Sequence, residues 1–520
     1  MSITSCLYFG FLALGMLLYY LTPGKLQWGV LLGLSLAFYA LAAAPFTFIY
    51  VLLIALPAWA LGLKTARCRE AGRDPAQDRL VRALLVLVLV WDVAIWFLCK
   101  GGALLDVFLF RLPGRFFPAL AGRSVPRLAA ALGMGYFLFQ VMSYTLDCWR
   151  GTVEPQKNPL KLLLFACFFP QMVTGPISRY SQLEGLYAPH RFRYVNLAHG
   201  CQRILWGLFK KLVLAERCAA VVNTVWSAPG IYPGLYAWLV LLLFPLQLYT
   251  DFSGCMDIVI GSAELFDIRL PENFNAPFCS RTIQEFWQRW HITLGTWAKD
   301  YILYPVLKSA WMLRLGKSLR KACGKKTGKF LTSAVGMFFA WLVIGLWHGE
   351  IRHVVGVSLW FWCFLLLGEW LKPRAAALAA KYGFKTESFG WHLFQSLRTY
   401  LIFSFGVVFF RAESMTRAFR FFRSLLDTFR PSVWNPWILF DGSLGYLGAS
   451  FQEINLMLVG FSLLLAADVL HEKYGSARLW LDRQPTLLRW AVYFTLFFTV
   501  LIAGKYGPGY EAGAFLYGNF

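Results

Sequence analysis

The sequence is short of charged residues. Only 15% of its 520 residues are Asp, Glu, Lys or Arg, whereas 58% are hydrophobic. A soluble domain carries about 25% charged residues, so this chain has too few charged groups to cover a surface that faces water. The composition therefore excludes a disordered chain, a coiled coil and a small secreted disulfide fold, and it favours lipid as the solvent.

Several signatures of soluble enzymes and pumps are missing as well. The chain has no G-x-S-x-G sequence and no G-x-x-x-x-G-K-[ST] sequence, which disfavours the common serine hydrolases and an ATP-driven pump. Its eleven cysteines include no C-x-x-C pair, so we predict neither a disulfide framework nor a metal site. Because no separate soluble basic domain is visible, we do not expect nucleic-acid binding.

Long apolar runs take the place of charge. A spanning helix needs about 20 mostly apolar residues, and we predict an all-α, polytopic membrane protein with about ten to twelve spans plus re-entrant or interfacial helices. One membrane domain is expected to cover residues 1–520. The candidate spans are 6–22, 28–43, 47–63, 83–99, 129–146, 203–225, 234–250, 331–348, 353–371, 395–410, 454–469 and 487–503.

Basic residues are concentrated in two loops. Residues 308–329 contain eight Lys or Arg and no acid, and residues 64–82 contain six. Short loops rich in Lys and Arg stay in the cytoplasm, so both loops are predicted inside and the N-terminus outside. Residues 111–127 carry four more arginines; a cytoplasmic position for them would require 83–110 to cross the membrane twice. The basic excess also suits contact with anionic membrane lipid.

Segment 247–305 combines aromatic residues with an unusual density of charge, and it contains His291. Charges at membrane depth are costly unless they are paired or hydrated, so this segment predicts a polar interior. The alternative is an amphipathic helix on the membrane surface, with Trp287, Trp290 and Trp297 at the level of the headgroups. An interfacial His291 would then simply face water.

His348 follows the apolar run 331–347, which begins just after a basic loop. Seventeen helical residues rise about 25 Å against a hydrocarbon thickness of about 30 Å, so this helix carries His348 deep into the membrane or to its far side. A neutral imidazole there can deprotonate a hydroxyl; a hydrogen bond to a neighbouring helix is the structural alternative. The remaining histidines lie in or beside loops, where solvation is expected: His190, His199, His353, His392 and His471.

Three motifs resemble those of the membrane-bound O-acyltransferase family. They are PENFNAPF at 271–278, FWQRWHITLGTWAKDYILYP at 286–305 and GLWHG at 345–349. The resemblance is to the bacterial branch of alginate O-acetyltransferases and teichoic-acid D-alanyl transferases. It implies the polytopic helical fold of that family, with a motif-bearing core at about 130–415.

The resemblance makes His348 the catalytic histidine and His291 the second motif histidine. We assign the role of general base to His348, while His291 would position the donor, polarise its carbonyl or assist proton transfer. Arg289, Lys299 and the basic loop 308–329 could attract the phosphates of CoA or of a carrier-protein phosphopantetheine. The alternative, favoured for the loop, is that these cations set the topology and contact lipid. Substrate contacts are expected at the other motif positions, namely Asn273, Asn275, Arg289, Trp290, Lys299, Asp300, Tyr301 and Trp347.

The resemblance further implies an O-acyltransferase of the bacterial cytoplasmic (inner) membrane, with no bound cofactor. The acyl donor would be acetyl-CoA or an acyl carrier phosphopantetheine on the cytoplasmic side. An acyl group, acetyl in the favoured case, would pass toward the hydroxyls of a cell-surface polysaccharide, with an extracytoplasmic acyltransferase partner as relay. D-alanylation of teichoic acid is the first alternative. A polysaccharide or lipid transporter is the second, and it predicts two repeated halves, which the sequence does not show.

Overall fold

The computed structural model describes residues 1–117, 122–125, 128–427 and 442–507. Within these residues the chain is helical, and the one β pairing is an isolated antiparallel bridge between Phe274 and Trp290, so the all-α prediction is confirmed. The α-helices are Cys6–Leu21, Gln27–Ala42, Ile49–Glu70, Arg79–Cys99, Gly102–Leu105, Met134–Arg150, Pro159–Cys167, Phe169–Met172, Tyr194–Leu208, Glu216–Ser227, Leu235–Glu264, Ile283–Arg289, Ile292–Ala298, Tyr304–Lys308, Ala310–Cys323, Lys325–Trp347, Ile351–His353, Trp360–Lys381, Phe389–Arg411, Met415–Leu426, Phe451–Tyr474, Ala477–Asp482 and Thr486–Ala503.

Nine helical stretches in the described part of the chain are long and apolar enough to cross a membrane. They are Gly24–Ala42, Pro45–Glu70, Arg79–Cys99, Leu235–Glu264, Lys325–Trp347, Ile351–Lys381, Phe389–Arg411, Phe451–Tyr474 and Thr486–Ala503. Cys6–Leu21 is a shorter apolar helix, and the run predicted at 129–146 forms the 17-residue helix Met134–Arg150. The run predicted at 203–225 lies in an unbroken helical stretch, in which the π-helical turn Phe209–Ala215 joins Tyr194–Leu208 to Glu216–Ser227. The chain is thus a multi-pass membrane protein, as predicted.

Two helices that start from the basic loops end side by side. Arg79–Cys99 begins in loop 64–82, and Lys325–Trp347 begins in the other basic loop. At their far ends, a Cβ atom placed on Gly349 would lie 3.1 Å from the carbonyl oxygen of Lys100. The two basic loops therefore lie on one side of the molecule, and Lys100 and Gly349 lie on the other side. The positive-inside rule predicts that the side with the basic loops is cytoplasmic.

Segment 83–110 crosses the membrane once. Its spanning helix ends at Cys99, and the chain continues in the short helical pieces Gly102–Leu105 and Asp106–Arg111. Ten helical residues rise only about 15 Å, half of a hydrocarbon thickness of about 30 Å, so these pieces cannot recross. The described part of the chain therefore does not provide the second crossing that a cytoplasmic position of the arginines in 111–127 would require.

Ion pairs account for much of the charge in segment 247–305. Lys210 Nζ lies 2.6 Å from Asp257 Oδ2, and Lys211 Nζ lies 2.8 Å from Glu216 Oε1 and also pairs with Asp251. Both lysines and Asp251 are buried. Because a charge inside the membrane is tolerated when it is paired, these contacts explain how the predicted polar interior is stabilised.

Candidate active site

The motif PENFNAPF pairs with the backbone around His291. The N–H of Asn275 donates to the carbonyl of Arg289 at 2.9 Å, and the N–H of Ile292 donates to the carbonyl of Asn273 at 3.1 Å. These bonds set the side chain of Asn273 beside His291. Two motifs that are separate in the sequence therefore form one local structure.

Asn273 determines which nitrogen of His291 carries the proton. The backbone N–H of Thr293 donates to Asn273 Oδ1 at 3.1 Å, and the Thr293 hydroxyl donates to it at 2.9 Å, so the atom at this position is the amide oxygen. His291 Nδ1 lies 3.2 Å from the same oxygen and must therefore be the N–H donor. His291 Nε2 then bears the lone pair and acts as an acceptor.

The backbone and the burial of His291 are both unusual. Its φ is +46°, in the left-handed region, and its side chain is buried. Residues other than glycine seldom adopt this conformation, and such positions cluster at functional sites. Burial lowers the pKa of His291 to about 3, because the charged imidazolium loses its hydration. The ring is therefore neutral at physiological pH.

His348 ends the helix Lys325–Trp347 and is 6% exposed. Gly349 follows it with φ +85°, the left-handed conformation that commonly closes a helix. Gly345 lets this end of the helix approach the next segment, because a Cβ atom there would fall 2.0 Å from Ser358 Oγ. In the GLWHG motif, Gly349 therefore allows the helix to end at His348, and Gly345 allows the close packing that buries His348.

Trp347 joins the two motif histidines. Its ring centroid lies 4.8 Å from that of His348 and 6.3 Å from that of His291. Its indole N–H donates to the carbonyl of Gly135 at 3.1 Å, which fixes the orientation of the ring. His291 and His348 therefore belong to one site, although they come from different parts of the sequence.

A third histidine belongs to this site. His353 is completely buried, its ring centroid lies 5.4 Å from that of His348, and its Nδ1 lies 3.2 Å from the His348 carbonyl oxygen. Phe410 packs against both rings. The prediction that His353 is solvated is therefore wrong. The apolar run that follows it was the available signal, since it places His353 at the start of the span Ile351–Lys381.

Other predicted contact residues take different positions. Trp290 is buried, whereas Asn275 is exposed. Arg289 forms an ion pair with Glu285 at 2.8 Å and another with Glu472 of the helix Phe451–Tyr474. The guanidinium group of Arg289 thus ties the motif segment to a spanning helix that is distant in the sequence.

Lys299, Asp300 and Tyr301 lie away from the histidines. The Tyr301 hydroxyl donates to Asp147 Oδ2 at 2.7 Å, and the carboxylate of Asp300 pairs with Arg179 at 3.2 Å. Lys299 is partly exposed. The end of the motif segment that these three residues form is therefore a polar cluster of its own.

A row of aromatic rings connects this cluster with the histidines. Centroid distances are 5.4 Å from Tyr301 to Trp297, 3.8 Å from Trp297 to Phe139 and 5.8 Å from Phe139 to Trp347. Trp290 and Trp297 are each only 2% exposed. The alternative of a surface helix with these tryptophans at headgroup level is therefore wrong, and the motif segment lies in the interior.

The Tyr301 end of the aromatic row lies toward the side of the molecule that carries the basic loop 64–82. Arg69 of this loop donates to the carbonyl of Cys148 at 2.5 Å, at the end of the helix that also carries Asp147. The guanidinium groups of Arg150 and Arg179 lie 5.0 Å and 4.6 Å from the Tyr301 ring centroid. A continuous line of contacts thus runs from the side of the molecule that carries the basic loops to His348.

Comparison with known proteins gives consistent similarities. A model of the membrane-bound O-acyltransferase family matches residues 51–371. The chain is 28% identical over 419 residues to the probable alginate O-acetylase AlgI of Pseudomonas fluorescens, which covers 81% of this chain and 74% of that protein. It is 30% identical over 329 residues to the peptidoglycan O-acetyltransferase of Helicobacter pylori, and this match covers 58% of this chain and 57% of that protein. The chain is 25% identical over 290 residues to the teichoic acid D-alanyltransferase of Bacillus subtilis, and this match covers 51% of this chain and 69% of that protein.

Proposed function

Because the chain belongs to the membrane-bound O-acyltransferase family, we propose that it transfers an acetyl group from a cytoplasmic thioester to hydroxyls of a cell-surface polysaccharide. One observation carries this proposal: His291 and His348 meet at Trp347, between the cytoplasmic aromatic row and the outer ends of two spanning helices. In this proposal the protein resides in the bacterial cytoplasmic membrane. CoA then stays inside while the acetyl group leaves.

His348 acts as the general base in the proposed reaction. It takes the proton of the acceptor hydroxyl while the oxygen attacks the thioester carbonyl, and the C–S bond breaks as the new C–O bond forms. The proton returns to the sulfur, so a thiol and an ester are the products. His291 has its lone pair at Nε2, which suits it to proton transfer; a neutral Nε2 without a proton cannot polarise a carbonyl.

The donor is proposed to be acetyl-CoA or an acylated phosphopantetheine. Arg150 and Arg179 flank Tyr301 at the cytoplasmic end of the aromatic row, and guanidinium groups bind phosphate well. Arg289, the cation expected from the sequence, pairs with Glu285 and Glu472. Arg179 also pairs with a carboxylate, that of Asp300 at 3.2 Å, so a donor phosphate would replace this partner. We expect the donor phosphates near Arg150 and Arg179, with the thioester arm along the aromatic row.

Acetyl is favoured over D-alanyl as the transferred group. The similarity to an alginate O-acetylase extends over 81% of the chain, whereas the similarity to a D-alanyltransferase extends over 51%. The outer position of Gly349, next to His348, supports release of the ester on the extracytoplasmic side, where an acyltransferase partner would receive or complete the transfer.

The test measures base-labile acetate on the surface polysaccharides of four strains. They express the wild type, no protein, His348→Gln and His392→Gln, the last being a control histidine far along the chain from the motifs. We expect acetate to fall at least 100-fold in the deletion and in His348→Gln, at equal membrane levels of protein, and to persist in His392→Gln. Acetate that survives His348→Gln would reject the base assignment. If the deletion strain loses ester-linked D-alanine and keeps its acetate, the transferred group is D-alanyl.

A further inference from the structure

Gln140, in the middle of the helix Met134–Arg150, has an unusual environment. It is only 2% exposed, and its side-chain nitrogen Nε2 has no hydrogen-bond partner among the residues that the structure describes. An amide N–H without a partner is costly in an apolar interior, because the water that would bond to it has been removed. Such a donor points to a partner that arrives from outside the chain.

The position of Gln140 in its helix places it beside the aromatic row. Residues four and seven positions apart share one face of an α-helix, so Tyr136, Gln140 and Asp147 form one stripe. At one end of this stripe the Tyr136 ring centroid lies 6.0 Å from that of Trp347. At the other end Asp147 accepts the hydrogen bond of the Tyr301 hydroxyl. Gln140 therefore lies between the two ends of the aromatic row.

Other hydrogen-bond donors next to Gln140 already have partners. The hydroxyl of Ser143 donates to the backbone carbonyl of Gln140 at 2.7 Å, and the indole N–H of Trp297 donates to the carbonyl of Phe139 at 2.9 Å. The amide of Gln140, in contrast, retains a donor that no described residue accepts. A carbonyl that enters beside the aromatic row would meet this donor in an apolar setting, where a hydrogen bond is stronger than in water.

The distance of Gln140 from the histidines matches the chemistry of a pantetheine thioester. Gln140 lies four residues from Tyr136, which corresponds to a rise of about 6 Å away from the level of Trp347 and His348. In an acylated pantetheine, a sulfur, two carbons and a nitrogen separate the thioester carbonyl from the first amide carbonyl, and this chain spans about 6 Å when extended. A thioester carbonyl next to His348 would therefore bring an amide carbonyl to the level of Gln140.

We propose that Gln140 binds the pantetheine arm of the acyl donor, by donating a hydrogen bond from Nε2 to an amide carbonyl of the arm. This inference rests on the proposed function and adds a residue that recognises the donor. The arm carries two amides that must leave water to lie along an apolar row, and a hydrogen bond to Gln140 offsets part of that cost. Gln140 takes no part in the bond changes; it holds the thioester where His348 and the acceptor hydroxyl meet.

The experiment measures binding by the full-length protein in nanodiscs, without an acceptor. The probes are 4′-phosphopantetheine and an analogue in which trans-alkenes replace both amides, which keeps the shape of the arm and removes its carbonyls. The readout is the ratio of the two Kd values, because its change between variants isolates the contact between side chain and carbonyl. We expect the preference for the amide probe to fall about tenfold from the wild type to Gln140→Met, as for the loss of one hydrogen bond.

Gln27→Met is the matched control. Gln27 is also 2% exposed, but its Nε2 donates to the carbonyls of His190 at 2.9 Å and Tyr19 at 3.3 Å. Gln27→Met should therefore lower Tm and leave the Kd ratio unchanged. Gln140→Met removes a donor that has no partner in the described chain, so it should keep or raise Tm while it changes the Kd ratio.

Two results would overturn the proposal. They are a Kd ratio that Gln140→Met leaves unchanged, and a wild type that binds neither probe. An unchanged ratio together with a Tm that falls as far as in Gln27→Met would assign Gln140 a purely structural role. If Gln140→Met fails to insert, Gln140→Glu replaces it, because an ionised carboxylate of similar size has no N–H to donate, and the same fall in the ratio is expected.

A separate comparison keeps this inference distinct from the proposed function. His348→Gln should abolish acetyl transfer and leave the Kd ratio unchanged, because His348 acts on the acceptor hydroxyl and not on the amides of the arm. A Kd ratio that depends on Gln140, in a wild type that transfers no acetyl group, would reject the proposed function and retain the pantetheine site. Acetyl transfer with a Kd ratio that does not depend on Gln140 would reject the pantetheine site alone.

Discussion

The side-chain oxygen of Asn273 accepts a hydrogen bond from His291 Nδ1 over 3.2 Å, and the same oxygen also accepts from the backbone and hydroxyl of Thr293. A backbone N–H can only donate, so the identity of the oxygen is not ambiguous. The proton of His291 is thereby held on Nδ1, and the lone pair is held on Nε2. A neutral histidine with one fixed acceptor nitrogen presents its lone pair in a defined direction, while its burial makes protonation of the ring costly.

Replacing His291 by asparagine separates the roles of its two ring nitrogens. Asparagine places an amide N–H near the position of Nδ1, tolerates the φ of +46°, and removes Nε2. We expect His291→Asn to insert and fold normally but to transfer acetyl groups about 10²–10⁴-fold more slowly, as for loss of a proton-transfer group. Initial rates with radiolabelled acetyl-CoA in membranes provide the measurement. A His291→Asn enzyme with the wild-type rate would mean that Nε2 has no part in the chemistry.

His291 should also make the protein sensitive to acid. Its pKa is about 3 in the folded state and about 6.5 in an unfolded chain, so between these values the unfolded state binds more protons. The free energy of unfolding therefore decreases as the pH falls from 6.5 toward 3, by about 2 kcal/mol at pH 5 from this residue. The melting temperature in detergent at pH 7 and pH 5 checks this. The drop should be smaller in His291→Asn; an equal drop would show that His291 does not contribute.

Gly345 and Gly368 offer a matched pair of alanine substitutions. A Cβ atom on Gly345 would lie 2.0 Å from Ser358 Oγ and 3.0 Å from Val354 Cα, whereas one on Gly368 would meet no atom within 4 Å. Gly345→Ala should displace His348 from its neighbours, lower stability by about 1–3 kcal/mol and reduce acetyl transfer at least tenfold. Gly368→Ala should leave the rate unchanged and stabilise the helix slightly. Thermal unfolding and transfer rates of both variants test this, and equal effects would contradict it.

The buried lysine Lys211 should matter for stability more than an exposed one. Lys211→Met would leave the carboxylates of Asp251 and Glu216 without this cation in a buried position, and breaking a buried pair costs about 3–5 kcal/mol. Lys317→Met removes an exposed charge and should cost less than about 0.5 kcal/mol. Thermal unfolding in detergent compares the two. Asp251→Asn added to Lys211→Met should restore part of the loss, and no recovery would argue against the pairing.

Different parts of the site were visible in the sequence to different degrees. His348 and His291 stand in motifs that resemble a known family, so both were predicted as site residues. His353 was missed because it is the first residue of the predicted span 353–371, and a residue at the end of a span can face either water or the protein interior. Arg289 was expected at the donor phosphates, yet it pairs with Glu472, whose helix comes much later in the chain. Such a pair cannot be predicted from local charge alone.

The sequence by itself determined the solvent and the helical class, and it predicted the side of the membrane on which the basic loops lie. These properties depend on composition and on the order of apolar and basic segments, which hydration energies convert directly into topology. Only the tertiary structure decided which histidines share a site, which nitrogen of His291 holds the proton, and that Lys100 lies beside Gly349. These depend on contacts between distant segments, and packing rather than hydropathy selects them.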